Sequence, residues 1–230
     1  MGLPEKYVWK EIPASSHDVL RRRIRALPAG RRLLDLGAAG GHLGRAVRDH
    51  CSYLAGVEPD PAVLPAARQG YDDWLSADAL SAGPWAQPFD VVVCADILEH
   101  LPVPERLLER ISAWLAPGGI LLVSLPNVAN LSVRAALLGG RFRYAERGIL
   151  DRTHLRFFTR STGRELLEQA GFRVAAAEPT AMPYELALPA LARPPWRGAV
   201  RSFARRSAQF FPTLFGYQFV YEATKGPAVP

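Results

Sequence analysis

Short apolar runs alternate along the chain with stretches whose apolar residues recur at helical spacing. Strict alternation and continuous apolar runs predict strands over 32–36, 53–57, 74–77, 89–95, 120–125 and 172–177. The run Val91-Val92-Val93-Cys94-Ala95 is apolar throughout, which suits a central strand covered on both faces. A last strand is expected over 216–223, where Tyr217, Phe219 and Tyr221 alternate with Gln218, Val220 and Glu222. Helices are expected over 15–27, from about residue 41, and over 62–69, 104–115 and 162–170. Ser15 or Ser16 is placed to cap the first, with Pro28 and Gly30 ending it. Pro117-Gly118-Gly119 closes the fourth and Gly171 the fifth.

Alternating strands and helices predict an α/β domain with a mostly parallel sheet. The 230 residues suffice for one such domain over 1–230, with an N-terminal helix within 15–30. Two stretches break the alternation. Residues 127–160 are rich in arginine and aromatics, and 179–215 intervene between the last two strands. Long excursions in a compact domain usually carry function, so both are read as acceptor-site insertions or a lid.

Composition narrows the classes. Hydrophobic residues make up 49% and charged residues 22%, as in an ordinary soluble domain. The net charge is +6 and the pI about 9.7, carried by 25 arginines and three lysines. With the abundant alanine and proline this points first to a GC-rich genome, and no basic-aromatic motif accompanies it, so no nucleic-acid partner is expected. Cys51 and Cys94 suggest no disulfide framework. The N-terminus lacks the pattern of a signal peptide, and no apolar run reaches the roughly 18 residues of a membrane span. A cytoplasmic location is expected, with the inner-membrane surface as the further option.

The most informative stretch is Leu33-Leu34-Asp35-Leu36-Gly37-Ala38-Ala39-Gly40-Gly41, a buried strand running into a glycine-rich turn and a helix. The dinucleotide fingerprint G-x-G-x-x-G is absent, because residue 39 is alanine where its second glycine would stand. The pattern present is D-x-G-x-x-x-G. Glu58 follows at the end of the second strand, where a carboxylate can accept both hydroxyls of a ribose.

With these residues, Ser76-Ala77-Asp78-Ala79, the Phe89-Asp90-Val91-Val92 strand, Asp96-Ile97-Leu98-Glu99-His100 and Leu115-Ala116-Pro117-Gly118-Gly119, the chain resembles the class I S-adenosylmethionine-dependent methyltransferases over about 30–178. Through Asp151-Arg152-Thr153-His154-Leu155-Arg156-Phe157-Phe158-Thr159 it also resembles a bacterial subgroup that often acts on sugars, lipids or quinone-type metabolites, and is similar to the ubiquinone-biosynthesis O-methyltransferases. The resemblance implies a three-layer, Rossmann-like α/β fold with a seven-stranded, mostly parallel sheet and an antiparallel last strand, and S-adenosylmethionine as cofactor. Asp35, Gly37, Ala39, Gly41, Glu58, Asp78, Ala79 and Asp96 are then the cofactor-binding positions. Asp35 would receive the ammonium or order the loop, and Asp78 would meet the adenine amino group. Gly37 and Gly41 would let backbone lie against the cofactor. Ala39 departs from the glycine usual in mid-loop.

Methyl transfer to a hydroxyl needs alignment and a proton acceptor. His100 is the first candidate base, and His154, in Asp151-Arg152-Thr153-His154-Leu155-Arg156-Phe157-Phe158, the second. The competing reading makes Glu99-His100 a structural turn, and lets Thr153 and His154 satisfy backbone groups while Leu155, Phe157 and Phe158 pack the core. The histidines show no recognised ligand spacing, so no metal is expected, with a catalytic divalent ion at Glu99-His100 as the lesser alternative. The acceptor is expected to be a small molecule, glycan or lipid-linked metabolite. N- or C-methylation is the enzymatic alternative, and a non-catalytic cofactor-binding scaffold the other. From Leu186 to Tyr221 there is no Asp, Glu or Lys, but Arg193, Arg197, Arg201, Arg205 and Arg206 are present. Helical spacing groups Arg197, Arg201 and Arg205 on one side and Val200, Phe203, Phe210 and Phe211 on an adjacent one. That pattern suits a lid helix, a peripheral membrane contact through 193–211, or a homodimer interface in place of a monomer.

Overall fold

The structure is a computed structural model that describes residues 13–61, 67–183 and 196–226. Its centre is a seven-stranded sheet in the order β3-β2-β1-β4-β5-β7-β6. The strands are β1 Arg31–Leu36, β2 Cys51–Val57, β3 Asp73–Leu75, β4 Phe89–Ala95, β5 Leu115–Pro126, β6 Phe172–Pro179 and β7 Gln218–Lys225. Strands β3, β2, β1, β4 and β5 pair in parallel, and β7 lies antiparallel between β5 and β6. The expected fold class holds, including the antiparallel last strand.

Alternation inside buried strands sorts side chains between two helical layers. In β4, Val91 and Val93 face one layer, while Val92 and Cys94 face the other. The first layer is α1 Ser16–Ala26 and α2 His42–Val47, which contribute Val19, Leu20, Ile24, Leu43 and Val47. The second is α3 Pro104–Trp114 and α5 Arg160–Gln169, which contribute Leu107, Leu108, Ile111, Leu166 and Leu167. Local chemistry sets the helix ends. The Ser15 hydroxyl accepts the Asp18 N–H, Pro104 opens α3, and Thr159 with Thr162 forms a reciprocal capping box on α5.

The boundaries differ from expectation in one instructive place. Strand β5 begins at Leu115, which pairs with Phe89, and regular pairing with β4 resumes only at Ile120. Residues Ala116 to Gly119 are therefore absorbed as a bulge, with Gly118 at φ +74°, and do not separate helix from strand. The helix expected over 62–69 falls largely outside the described residues. Inside the two insertions lie α4 Leu131–Leu138, α6 Trp196–Phe210 and the single turn α7 Pro212–Phe215. Asn127 Nδ2 donates to the Thr213 and Gly216 carbonyls, and Asn130 Nδ2 also donates to Gly216, each at 2.9 Å. These bonds tie the first insertion to the end of the second. Among the described residues, no helix is long and apolar enough to cross a membrane.

Gly163 in α5 tests how tightly the second layer is packed. A Cβ there would stand 2.6 Å from the Tyr221 hydroxyl, which donates to the Arg160 carbonyl at 3.0 Å. On helix propensity alone, Gly163→Ala should stabilise by about 1 kcal/mol. Overpacking dominates here, and we expect a net loss of about 1–3 kcal/mol in urea unfolding. A gain would show that Tyr221 moves aside freely.

Candidate functional site

Because β1 to β5 run parallel, their carboxyl ends emerge along one edge, where loops can converge. The turn after β1 is the tightest of these loops. Gly37, Ala39 and Gly41 have φ of +63°, +45° and +67°. A Cβ on Gly41 would stand 2.3 Å from the Ala67 carbonyl oxygen, and one on Gly37 would stand 2.9 Å from Ile97 Cδ1. The protein's own packing thus demands both glycines. Ala39 holds a left-handed conformation, which costs an alanine more than a glycine. Its N–H donates to Glu58 Oε2 at 2.9 Å.

Three carboxylates follow along this edge. Glu58, after β2, is buried, and its Oε1 accepts the Asp60 N–H at 3.0 Å. With one backbone donor on each oxygen, the carboxylate is fixed in orientation and keeps acceptor capacity. Asp78, after β3, is exposed and caps the short turn Ala79–Ser81 by accepting the Leu80 N–H at 2.8 Å; Ala79 is buried beneath it. Asp35, inside β1, is buried, and its Oδ2 accepts the Tyr71 hydroxyl at 2.7 Å. Tyr71 occupies the space left by Gly44, where a Cβ would fall 2.2 Å from it. Burial pushes the Asp35 carboxyl up to about 7, with the Tyr71 bond opposing and the Glu58 charge reinforcing the shift.

On the other side of β1, the end of β4 carries a second cluster. Asp96 has φ +54°, and its Oδ1 accepts Ser124 Oγ at 2.6 Å and Gln218 Nε2 at 2.8 Å. It is thereby clamped to β5 and β7. The turn Leu98–His100 follows. The Glu99 carbonyl accepts the N–H groups of Leu155 at 2.8 Å and Arg156 at 3.0 Å, which pins the 150s segment over this turn. His100 and His154 then meet edge to face with ring centroids 4.8 Å apart. A backbone carbonyl can only accept, so each histidine must donate from Nδ1: His100 to Thr153 at 3.1 Å, His154 to Ile149 at 3.0 Å. With the hydrogen on Nδ1, the neutral form of either ring keeps its lone pair on Nε2. Burial lowers the His154 pKa, the Ile149 bond opposing and His100 assisting. The ring is neutral at pH 7.

From sequence, Glu99 stands beside His100 as part of a structural turn or, less favoured, as a partner in holding a divalent ion. It is almost wholly buried, and neither carboxylate oxygen has a hydrogen-bond partner. Burial, with the Asp96 charge next, raises its pKa well above the usual carboxylate range. Ligand atoms of Glu99, His100 and His154 all lie within 4.8 Å of one another. One carboxylate and two imidazole nitrogens, each ring oriented by a carbonyl on its other nitrogen, can hold a divalent cation. Sequence spacing could not show this set, because 54 positions separate the two histidines and only the fold joins them. Tyr71, Ser124 and Gln218 likewise carried no signal. One packing expectation is corrected: Leu155 is exposed and Phe158 is buried. The Val128 N–H donates to the Phe158 carbonyl at 2.9 Å and ties that backbone to the chain just past the end of β5, whereas Leu155 is held at the surface by its N–H bond to the Glu99 carbonyl.

Comparison with known proteins follows the same stretch of chain. The model of a family described as "Methyltransferase domain" matches residues 8–177. A ubiquinone biosynthesis O-methyltransferase of Psychrobacter arcticus is 30% identical over 155 residues, which cover 63% of this chain and 60% of that one. Another, from Coxiella burnetii, is matched over 44% of its length, so the chain spans about half the length of these curated relatives. Among solved structures, magnesium protoporphyrin IX methyltransferase of Synechocystis PCC 6803 aligns with a TM-score of 0.63 at 16% identity, over 92% of this chain and 82% of that one. At such identity the likeness concerns the fold.

Two outcomes test this geometry. A carboxyl raised from 3.8 to about 7 by folding stabilises the folded state below pH 4, and that contribution is lost as pH rises from about 4 to about 7. Asp35→Asn, which keeps an acceptor for Tyr71, should therefore raise Tm at pH 8 by several degrees, at about 2–4 °C per kcal/mol. The gain should vanish near pH 4; a gain equal at both values would refute a proton-binding Asp35. Zinc chloride at about 100 times its Kd should stabilise the wild type by about 2.7 kcal/mol. In thermal melts that rise should be absent from Glu99→Gln. An equal rise in both would assign the ion elsewhere.

Proposed function

The chain belongs to the methyltransferase domain family, and on that premise we propose that it moves a methyl group from S-adenosylmethionine to a hydroxyl of a small-molecule, sugar or lipid-linked acceptor. The observation that carries this reading is the row of carboxylates Asp35, Glu58 and Asp78 beside the glycine turn, next to a cluster holding two imidazole lone pairs. Adjacent strands stand about 4.8 Å apart, so β1 to β3 spread these acceptors over about 10 Å. That span suits a ligand presenting an ammonium, a vicinal diol and an aromatic amine in sequence. The donor set therefore fits the cofactor that the family implies.

When bound, S-adenosylmethionine supplies an electrophilic methyl carbon on a sulfonium leaving group. Asp35, once ionised, offers the countercharge for the ammonium. The free lone pairs of Glu58 accept from the ribose hydroxyls, and Asp78, beside buried Ala79, accepts from the adenine amine. Asp96 and the turn after it separate this side from the acceptor side. There, Nε2 of His154 or His100 takes the hydroxyl proton as the oxygen attacks, and the lowered pKa of His154 keeps it ready at neutral pH. The 150s segment, pinned by the Glu99 carbonyl, lies over the cluster and leaves His154 buried.

The orphaned Glu99 carboxylate favours a second arrangement, in which Glu99, His100 and His154 hold a divalent cation that binds the acceptor oxygen. Relatives and structural neighbours include a protein named for O-methylation and another titled as an N-methyltransferase, so the acceptor atom rests on this cluster and not on the fold.

Calorimetry should show S-adenosylmethionine binding, weakened at least about tenfold by Glu58→Ala, the loss of a charge-assisted hydrogen-bond pair. Tight NAD binding in its place would overturn the reading. With a turning-over acceptor, His154→Ala or His100→Ala should lower kcat by about 10²–10⁴ with cofactor affinity kept. Wild-type turnover in both variants would remove the base. Cofactor binding without any S-adenosylhomocysteine formed from a broad acceptor extract would leave a scaffold.

A further inference from the structure

Exposed large apolar side chains are confined almost entirely to the two insertions. Among the described residues, nine of the ten (Val103 is the exception) lie in 131–155 or 203–211. The two segments 131–155 and 196–211 together carry nine arginines against one glutamate and one aspartate. The insertions touch: Asn127 and Asn130 bond to Thr213 and Gly216, and the Tyr217 hydroxyl sits against Gly148.

Helix α6 shows what its pattern is for. It rests on the domain through small residues, Ala204 and Ala208, both buried. Phe203, Phe210 and Phe211 stand 61%, 76% and 62% exposed. A lid held by its apolar stripe would do the reverse, burying its phenylalanines. Arg206 lies between Phe203 and Phe210 on the helix and is exposed, whereas Arg205 turns toward the groove it lines with Asp18 and Glu178; no acidic residue occurs from Leu186 to Tyr221. In the first insertion, Leu138 is 90% exposed at the end of α4, next to Arg141 and Arg143.

We propose that this basic, phenylalanine-bearing face docks the protein on an anionic bilayer, with the mouth of the site turned toward the lipid surface. Rings standing out from a rigid helix gain by entering the acyl boundary, and guanidinium groups beside them pair with lipid phosphates. A water-facing arrangement would leave three adjacent rings hydrated with no compensation. The charge complementarity selects an anionic membrane over a neutral one. It also selects a membrane over a second copy of this chain, whose matching face would carry the same positive charge. The inference goes beyond the methyl-transfer reading, since vesicle binding is measured without cofactor or acceptor, and either can fail alone.

The test is co-sedimentation of the whole protein with phosphatidylglycerol vesicles and with phosphatidylcholine vesicles. At low salt the protein should pellet with the first and stay in solution with the second. The triple variant Phe203→Ser, Phe210→Ser, Phe211→Ser should keep its Tm and its S-adenosylmethionine affinity, yet bind at least about tenfold more weakly. Arg206→Gln with Arg141→Gln and Arg143→Gln should lose binding to a similar degree and flatten the salt dependence. No sedimentation with phosphatidylglycerol at low salt overturns the proposal, as does equal binding by the phenylalanine variant. So does a wild-type dimer in light scattering that the serine variant dissolves while vesicle binding is unchanged.

Discussion

The chain must reverse within five residues between the buried end of β1 and a helix packed on the same sheet, and the candidate site is organised around that reversal. Gly37 and Gly41 take left-handed conformations with neighbouring atoms already in the space a Cβ would fill. Ala39 is held in a similar conformation by its bond to Glu58. That bond joins the turn after β1 to the end of β2, so the glycine turn and the candidate ribose acceptor form one unit. The glycines thus serve the fold first. A ligand that lies against this turn uses a surface which packing has already paid for.

From that turn the sheet order distributes chemistry. Strands β2 and β3 on one side carry Glu58 and Asp78 outward from Asp35, and β4 on the other side carries Asp96 and the Glu99-His100 turn. The two sides differ in their electrostatics. Asp35 and Glu58 have polar partners, whereas Glu99 is buried with none. An isolated buried carboxylate is costly unless it is protonated or meets a cation or donor. The position of Glu99, beside two imidazoles with their lone pairs directed by backbone carbonyls, makes it the least self-sufficient group of the site.

The cluster also depends on a segment far away in sequence. The Glu99 carbonyl holds residues 155 and 156, and the loop so held delivers His154. Asp96, through Ser124 and Gln218, links the same region to β5 and β7. The insertions are therefore not appendages. The first supplies a histidine to the site, and the second, through α7 and Tyr217, closes against the first. Their outer surfaces carry the arginines and exposed rings, so the proposed docking face is built on the same segments that bring His154 to the candidate site.

Much of this was legible from local pattern. The apolar run of β4, the glycines at 37 and 41 and the carboxylates at strand ends are local signals, because strand burial, left-handed turns and strand-end acceptors each act within a few residues. They determined the α/β class and the glycine turn, while the antiparallel last strand and the further cofactor positions came only with the family resemblance that these motifs carry. What is made by long-range contact was hidden. The Glu99-His100-His154 cluster, the Tyr71 bond to Asp35 and the Gln218 clamp join residues tens of positions apart. The periodicity of α6 showed an apolar face and a basic one, but not which would be docked. Only the tertiary structure decided that its alanines face the domain and its phenylalanines face out, because a helix's own pattern does not say which surface its neighbours leave for it.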